Sequence, residues 1–304
     1  MDGRELEEFV FWQCPRWLDF HIKGTQRVEA AAPCLERLSL SNAAEAYIAA
    51  PNLEEVVWED ESYDPQRHRF AEAGRHLRRL VAVSSSLTAA LMRQFDSVNE
   101  LIIDYTISHG PNGYKSFLED VDMLPNCEVL VVQSTCTSHC TIPSVLHLLR
   151  KSTGIKKFVI YLESMVNGVC RLLDCPCDLP ESCGTNDINL DSLNEIEINL
   201  ISNERWSDEQ AEILELLLGC NAPSLRKVVI NLSCKCPFIR EDMCEKIREM
   251  CLLSNKFEFC VVCTGEEWGE SYSTVVIHIS IKHRLPVDFM TFASLLEHEI
   301  SHVD

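Results

Sequence analysis

Apolar and polar positions along the chain fall into a recurring phrase: an apolar anchor, two mostly polar residues, then Leu, Val or Ile within an apolar run. It reads Ala32-Pro33-Cys34-Leu35-Glu36-Arg37-Leu38-Ser39-Leu40, and again Ala50-Pro51-Asn52-Leu53-Glu54-Glu55-Val56-Val57-Trp58. Further copies are Gly74-Arg75-His76-Leu77-Arg78-Arg79-Leu80, Leu124-Pro125-Asn126-Cys127-Glu128-Val129-Leu130 and Ala222-Pro223-Ser224-Leu225-Arg226-Lys227-Val228. Eight anchors (Leu35, Leu53, Leu77, Val98, Cys127, Ile155, Leu193 and Leu225) stand 18, 24, 21, 29, 28, 38 and 32 residues apart. Leucine-rich repeats recur every ~20 to 29 residues, so the middle copies fit and the later ones carry insertions. Each copy predicts one short strand of a parallel sheet, its anchors facing the core. The expected fold is α/β: an irregular leucine-rich-repeat solenoid, a curved parallel sheet backed by outer helices and loops. The alternative is an ordinary α/β domain with parallel strands, but the polar pair returns at one offset in each phrase, which favours the repeat.

The connecting segments become more helical toward the C-terminus. Ile142 to Arg150 has Pro143 where a helix can start and a cation near its end. Ser207-Asp208-Glu209-Gln210 reads as a capping box, followed by Ile213, Leu214, Leu216, Leu217 and Leu218 and stopped by Gly219. Arg240 to Cys251 sets Met243, Ile247, Met250 and Cys251 on one helical face. Beyond residue 254 the pattern changes. Phe257 to Val262 and the alternating Thr274 to Ile281 predict an antiparallel hairpin around Gly265 and Gly269, and Pro286 opens a last helix. The organisation expected is therefore a 1–30 N-terminal cap or remnant, a 31–253 repeat domain, and a 254–304 cap that shields the last core layer.

A net charge of −20 over 304 residues argues against nucleic acid, whose phosphates need a dense cationic footprint, and against anionic membrane surfaces. No apolar stretch approaches the roughly 18 to 20 residues needed to span a bilayer. The first eight residues are acidic and precede no signal-like core. A cytoplasmic or nuclear location is expected, where the 16 cysteines stay reduced.

Among those cysteines, Cys170, Cys175, Cys177 and Cys183 place four thiols within 14 residues, the donor number of a structural zinc site, with Cys136, His139 and Cys140 as outside donors. Their spacing matches no common two-pair pattern, so an irregular loop of thiols competes and no metal is assigned. Cys260 and Cys263 have redox-pair spacing but fall in a predicted strand, where positions three apart face opposite ways. No phosphate-binding glycine loop, nucleophile elbow or zinc-protease helix motif is present. The chain is read as non-enzymatic, with no cofactor.

Two surfaces suit a protein partner. The segment 65–93 carries Arg67, Arg69, Arg75, Arg78, Arg79 and Arg93 against Glu72 alone, a basic island suited to an acidic or phosphorylated peptide. Charge runs are more often solvated faces, here balancing acids of the preceding copy such as Glu59, Asp60 and Glu61. The second surface is the outward side of the strands. The period of two sends Arg37, Glu55, Val57, Arg79, Glu100, Lys157, Glu195 and Lys227 outward, together with Val129, Val131, Val159, Glu197 and Val229. Charge mixed with valine suits a docking face, although valine also favours strands for its own sake.

The run Tyr63-Asp64-Pro65-Gln66-Arg67-His68-Arg69-Phe70, leading into Gly74 to Leu80, resembles a phrase of plant F-box/leucine-rich-repeat proteins, especially those of grasses. So do Gly113-Tyr114-Lys115-Ser116-Phe117-Leu118-Glu119-Asp120, Leu124 to Leu130, Cys175 to Cys183 and Leu190-Asp191-Ser192-Leu193. The likeness runs over roughly residues 30 to 235. It implies the substrate-selecting part of an SCF-type ubiquitin ligase subunit, whose repeats choose a target protein while an F-box docks the Skp-type adaptor. Residues 1 to 30 read Phe9-Val10-Phe11-Trp12 and Trp17-Leu18-Asp19-Phe20 rather than an F-box. An adaptor is therefore expected only if an F-box is supplied upstream. The competing readings are a repeat scaffold or decoy outside ubiquitination, and a repeat domain that senses a small molecule.

Overall fold

The computed structural model describes residues 7–11, 16–21, 26–41, 43–59, 63–84, 89–107, 110–122, 124–134, 141–152, 154–163, 175–178, 187–202, 208–234, 258–265 and 273–279. Two sheets organise them. A four-stranded parallel sheet takes β1 (Glu7–Phe11), β3 (Gln26–Ala31), β5 (Glu45–Ala49) and β7 (His68–Ala71) in that order. An eleven-stranded sheet runs β2 (Trp17–His21), β4 (Arg37–Ser41), β6 (Glu55–Trp58), β8 (His76–Ser84), β9 (Ser97–Tyr105), β10 (Asn126–Ser134), β11 (Lys157–Glu163), β12 (Glu195–Ser202), β13 (Lys227–Cys234), β14 (Glu258–Gly265) and β15 (Ser273–Ile279). Every neighbouring pair in it is parallel except the last, where β14 and β15 form the expected antiparallel hairpin. The protein is thus a mixed α/β structure built on one large parallel sheet.

The recurring phrase owes its form to a turn. Leu35 N–H donates to the Ala32 carbonyl at 3.0 Å, Leu53 to Ala50 at 3.2 Å, Leu193 to Leu190 at 3.0 Å and Leu225 to Ala222 at 3.2 Å. Proline after the first residue of three of these turns presets the φ that the second turn position requires. The polar pair then joins the next strand. The Glu36 carbonyl accepts from both Glu54 and Glu55, Glu54 accepts from Arg78 and Arg79, and Asn194 accepts from Arg226 and Lys227. One residue closes a turn onto the core and the next two stack on the neighbouring copy, so the spacing is fixed by backbone hydrogen bonding.

Core residues follow the anchors. Leu35, Leu77, Ile155 and Phe158 are fully buried, as are Leu38, Val56, Leu80, Leu101, Leu130, Ile196 and Val228 on the inner side of the large sheet. What covers them changes along the chain. Up to β8 the chain alternates between the sheets, so strands β3, β5 and β7 form the second layer. Small side chains there, Ala30, Ala32, Ala46 and Ala50, are buried and allow close approach. After β8 helices take over: α1 (Ala89–Met92), α2 (Pro111–Val121) and α3 (Thr141–Lys151), and after β12 α4 (Asp208–Gly219). The outer helices and loops expected throughout thus hold only for the later part, and a second sheet replaces them in the first. The first thirty residues, expected as a cap or remnant, supply β1, β2 and most of β3 and extend both sheets. The helices expected over 240–251 and after Pro286 lie outside the described residues.

Candidate recognition face

The side of the large sheet turned away from the core carries three rows of side chains, because in-register parallel pairing puts equivalent residues of successive strands side by side. The first row is Trp17, Arg37, Glu55, Arg79, Glu100, Val129, Lys157, Glu195 and Lys227. The second is Asp19, Ser39, Val57, Val81, Ile102, Val131, Val159, Glu197 and Val229. The third continues as Val83, Asp104, Gln133, Tyr161, Asn199 and Asn231. The outward residues expected from the period of two fall in the first two rows.

Opposite charges alternate along the first row and neutralise one another. Arg37 lies 3.3 Å from Glu55 and Arg79 3.1 Å from Glu100. Lys157 lies 3.1 Å from Glu195 and 2.7 Å from Glu197, and Lys227 3.4 Å from Glu195. The Arg79 Nε approaches Glu100 off the hydrogen-bonding direction, which leaves an ion pair without a hydrogen bond. Glu55 is 8% exposed because Arg37 and Arg78 close over it. Burial alone would raise the Glu195 carboxyl, yet the Lys157 hydrogen bond and charge, with Lys227, hold it below its ordinary value. Lys157 is held above its own despite partial burial, by the hydrogen bonds it donates to Glu197 and Glu195. Such cross-strand pairs contribute about 0.2 to 1 kcal/mol each and fix register.

The middle row is different. Val57, Val81, Ile102, Val131 and Val159 form five consecutive apolar positions, the first three half-buried and the last two 8% and 6% exposed. Neighbouring strands stand about 4.8 Å apart, so the stripe runs about 19 Å across the strands. The third row borders it with polar groups, among them an asparagine step in which Asn231 Nδ2 donates to Asn199 Oδ1 at 2.8 Å. The stripe thus lies between a self-neutralised charge row and a polar row, with Val57, Val81 and Ile102 its more accessible members; protein interfaces share this order of apolar centre and polar rim. Sequence reasoning named Val57, Val131 and Val159 but missed Val81 and Ile102; the strand period applied to β8 and β9 would have found them.

The basic island disperses on folding. Arg67 pairs with Asp64 at 3.5 Å, and Arg78 with Glu54 at 3.5 Å and with Glu55. Arg75 grips Asp96 with both Nε and Nη2, at 2.7 and 2.6 Å, and this contact pulls the Asp96 carboxyl down. Arg69 is exposed on β7 beside Tyr47. Among the described residues, the acids that answer these arginines are Glu54, Glu55, Asp64, Asp96 and Glu100; the expected Asp60 and Glu61 lie outside the described residues.

The family-like phrase 63–70 builds a buried aromatic knot. His68 Nδ1 accepts from the Asp64 N–H at 2.9 Å, which leaves Nε2 to donate to the Ala43 carbonyl at 3.0 Å. Trp58 packs edge-on to Tyr63, His68 and Phe70 with centroids 5.2, 4.9 and 6.5 Å away. Burial, with the Asp64 charge, pushes the Tyr63 phenol up to about 12. That phrase is therefore structural.

Of the zinc candidates, Cys175 and Cys177 are buried with their sulfurs 3.2 Å apart, while Cys170 and Cys183 lie outside the described residues. Among the described residues no three His, Cys, Asp or Glu side chains converge to hold a metal ion. Among the same residues no helix is long and apolar enough to cross a membrane. No family model, curated protein or solved structure matches this chain, so its functional reading rests on the face itself and on the phrases quoted above.

Proposed function

We propose that this chain is a non-catalytic protein-recognition module of leucine-rich-repeat type, which docks a target protein across the outer face of its large sheet. It would act as the substrate-selecting part of an SCF-type ubiquitin ligase subunit only if an F-box is supplied upstream. One observation supports the docking role above the others: the apolar stripe Val57, Val81, Ile102, Val131 and Val159, bordered by polar rows. The flanking charges Arg37, Glu55, Arg79, Glu100, Lys157, Glu195 and Lys227 then act mainly as register-setting pairs and contribute specificity at the rim. A fully paired rim steers partners more than it adds affinity.

The test is affinity purification from a native extract with wild type and Ile102→Glu side by side, followed by binding measurements on each purified partner. A charge driven into the stripe should weaken the true target at least tenfold, while Glu119→Arg on α2 leaves it unchanged. A reproducible partner equally indifferent to both substitutions contradicts the reading. The Skp-type adaptor in the same purification separates a ligase subunit from a repeat scaffold: its absence from complexes made with the natural full-length product removes the ubiquitin arm.

A further inference from the structure

We propose that Cys175 and Cys177 are a redox site, a thiol pair that closes to a reversible intrachain disulfide. They flank Pro176 at the start of a single 3-10 turn, Pro176–Asp178, which packs against α2 and α3. The Cys177 thiol points at the Cys175 sulfur from 3.2 Å, and both side chains are 1% exposed. Proline fixes one backbone torsion between them, so the sulfurs are held together by the chain as well as by packing. A bond of about 2.05 Å then needs only a local adjustment of the turn.

The other described thiols, Cys34, Cys127 and Cys220, are set differently. Burial pushes Cys127 up to about 12 and Cys220 up to about 11, and Cys220 donates to the Leu216 carbonyl at 3.3 Å. Cys34 is exposed in its turn. A small disulfide such as oxidised glutathione should therefore cap Cys34 as a mixed disulfide and cross-link Cys175 to Cys177. In the latter case one cysteine thiolate attacks the small disulfide, forming a mixed disulfide and releasing one glutathione thiolate. The second cysteine, deprotonated, attacks the protein sulfur and expels the other. The balance is two protein thiols plus one oxidised glutathione, giving one protein disulfide plus two glutathione thiols, and a dithiol reductant reverses it. Since buried thiols react slowly, the first attack proceeds from a locally opened turn, so the pair reacts later than Cys34. Closure ties down the segment beneath α2 and α3 without touching the recognition face.

The full chain is incubated with oxidised glutathione, quenched in acid, alkylated in denaturant and digested with trypsin. The peptide from Leu172 to Arg205 carries Cys175, Cys177 and Cys183, and the peptide from Val28 to Arg37 carries Cys34 alone. The expected result is a Leu172 peptide lighter by two hydrogens with one thiol left to alkylate, restored by dithiothreitol, and a glutathione adduct on Cys34. Cys183→Ser should keep the two-hydrogen loss, and Cys177→Ser should replace it with a glutathione adduct. The proposal is overturned if the Leu172 peptide stays fully alkylatable while Cys34 is capped. It is equally overturned if the loss vanishes in Cys183→Ser, which would place the bond at Cys183. Should Cys177→Ser fail to fold, wild type and Cys183→Ser decide the matter between them.

Discussion

His68 shows how much one side chain holds. Both ring nitrogens are committed to backbone groups, Asp64 N–H on one side and the Ala43 carbonyl on the other, and the ring fills the space beside Trp58. His68→Ala removes both bonds and leaves a cavity, so a loss of about 2–4 kcal/mol is expected in urea unfolding. Arg69→Ala, one residue on and exposed, should cost under about 0.5 kcal/mol; equal losses would refute the buried-knot account. His147 on α3 supplies a pH effect. Burial lowers its pKa, aided by the charges of Lys151 and Arg150 and opposed by Asp122 and Asp187. Its folded value lies below the unfolded one of about 6.5, so its contribution is complete above that pH and fades as pH falls through the folded value. The wild-type Tm should therefore drop more steeply than that of His147→Gln between about pH 7.5 and 5.5. Parallel slopes would show that His147 contributes nothing.

At the scale of the element, the strands explain which parts of the structure were legible in the sequence. Anchors such as Leu35, Leu53 and Leu193 announced themselves because each closes a turn onto the core and has no polar substitute there. The hairpin of β14 and β15 was equally readable from its alternation. The second sheet was not. Strands β3 and β5 bury Ala30 and Ala46, and alanine gives strands no signature, although it is what two closely packed layers need. Helix α2 hid for a similar reason: Tyr114, Phe117 and Val121 make its buried face, but Gly113 and the preceding Pro111 resemble a loop. Two predictions belong here. Ala46→Leu should overfill the space between the sheets and cost about 1–3 kcal/mol; an unchanged midpoint in urea would mean the layers stand further apart. Arg79→Glu would put three acids side by side with Glu55 and Glu100, and should be about 0.5–2 kcal/mol less stable than Arg79→Leu. That gap should shrink in about 0.5 M salt; a gap that salt leaves untouched would show that charge is not its cause.

Over the whole molecule, charge and shape separate. The chain carries −20, yet Arg37, Arg79, Lys157 and Lys227 on the outer face of the large sheet are answered by their own neighbours Glu55, Glu100, Glu195 and Glu197. The apolar centre of that face was only half visible beforehand, because valine serves strand formation and docking alike and sequence cannot tell which use applies. The claim that matters is that Ile102 and its neighbours in the stripe meet the target. A photo-crosslinking amino acid placed at position 102, and separately at exposed Tyr47 on the second sheet, tests it most directly once a partner is in hand. The account predicts an ultraviolet-dependent adduct with that partner from position 102 and none from position 47; adducts from 47 alone would place recognition on the opposite side of the molecule and contradict it.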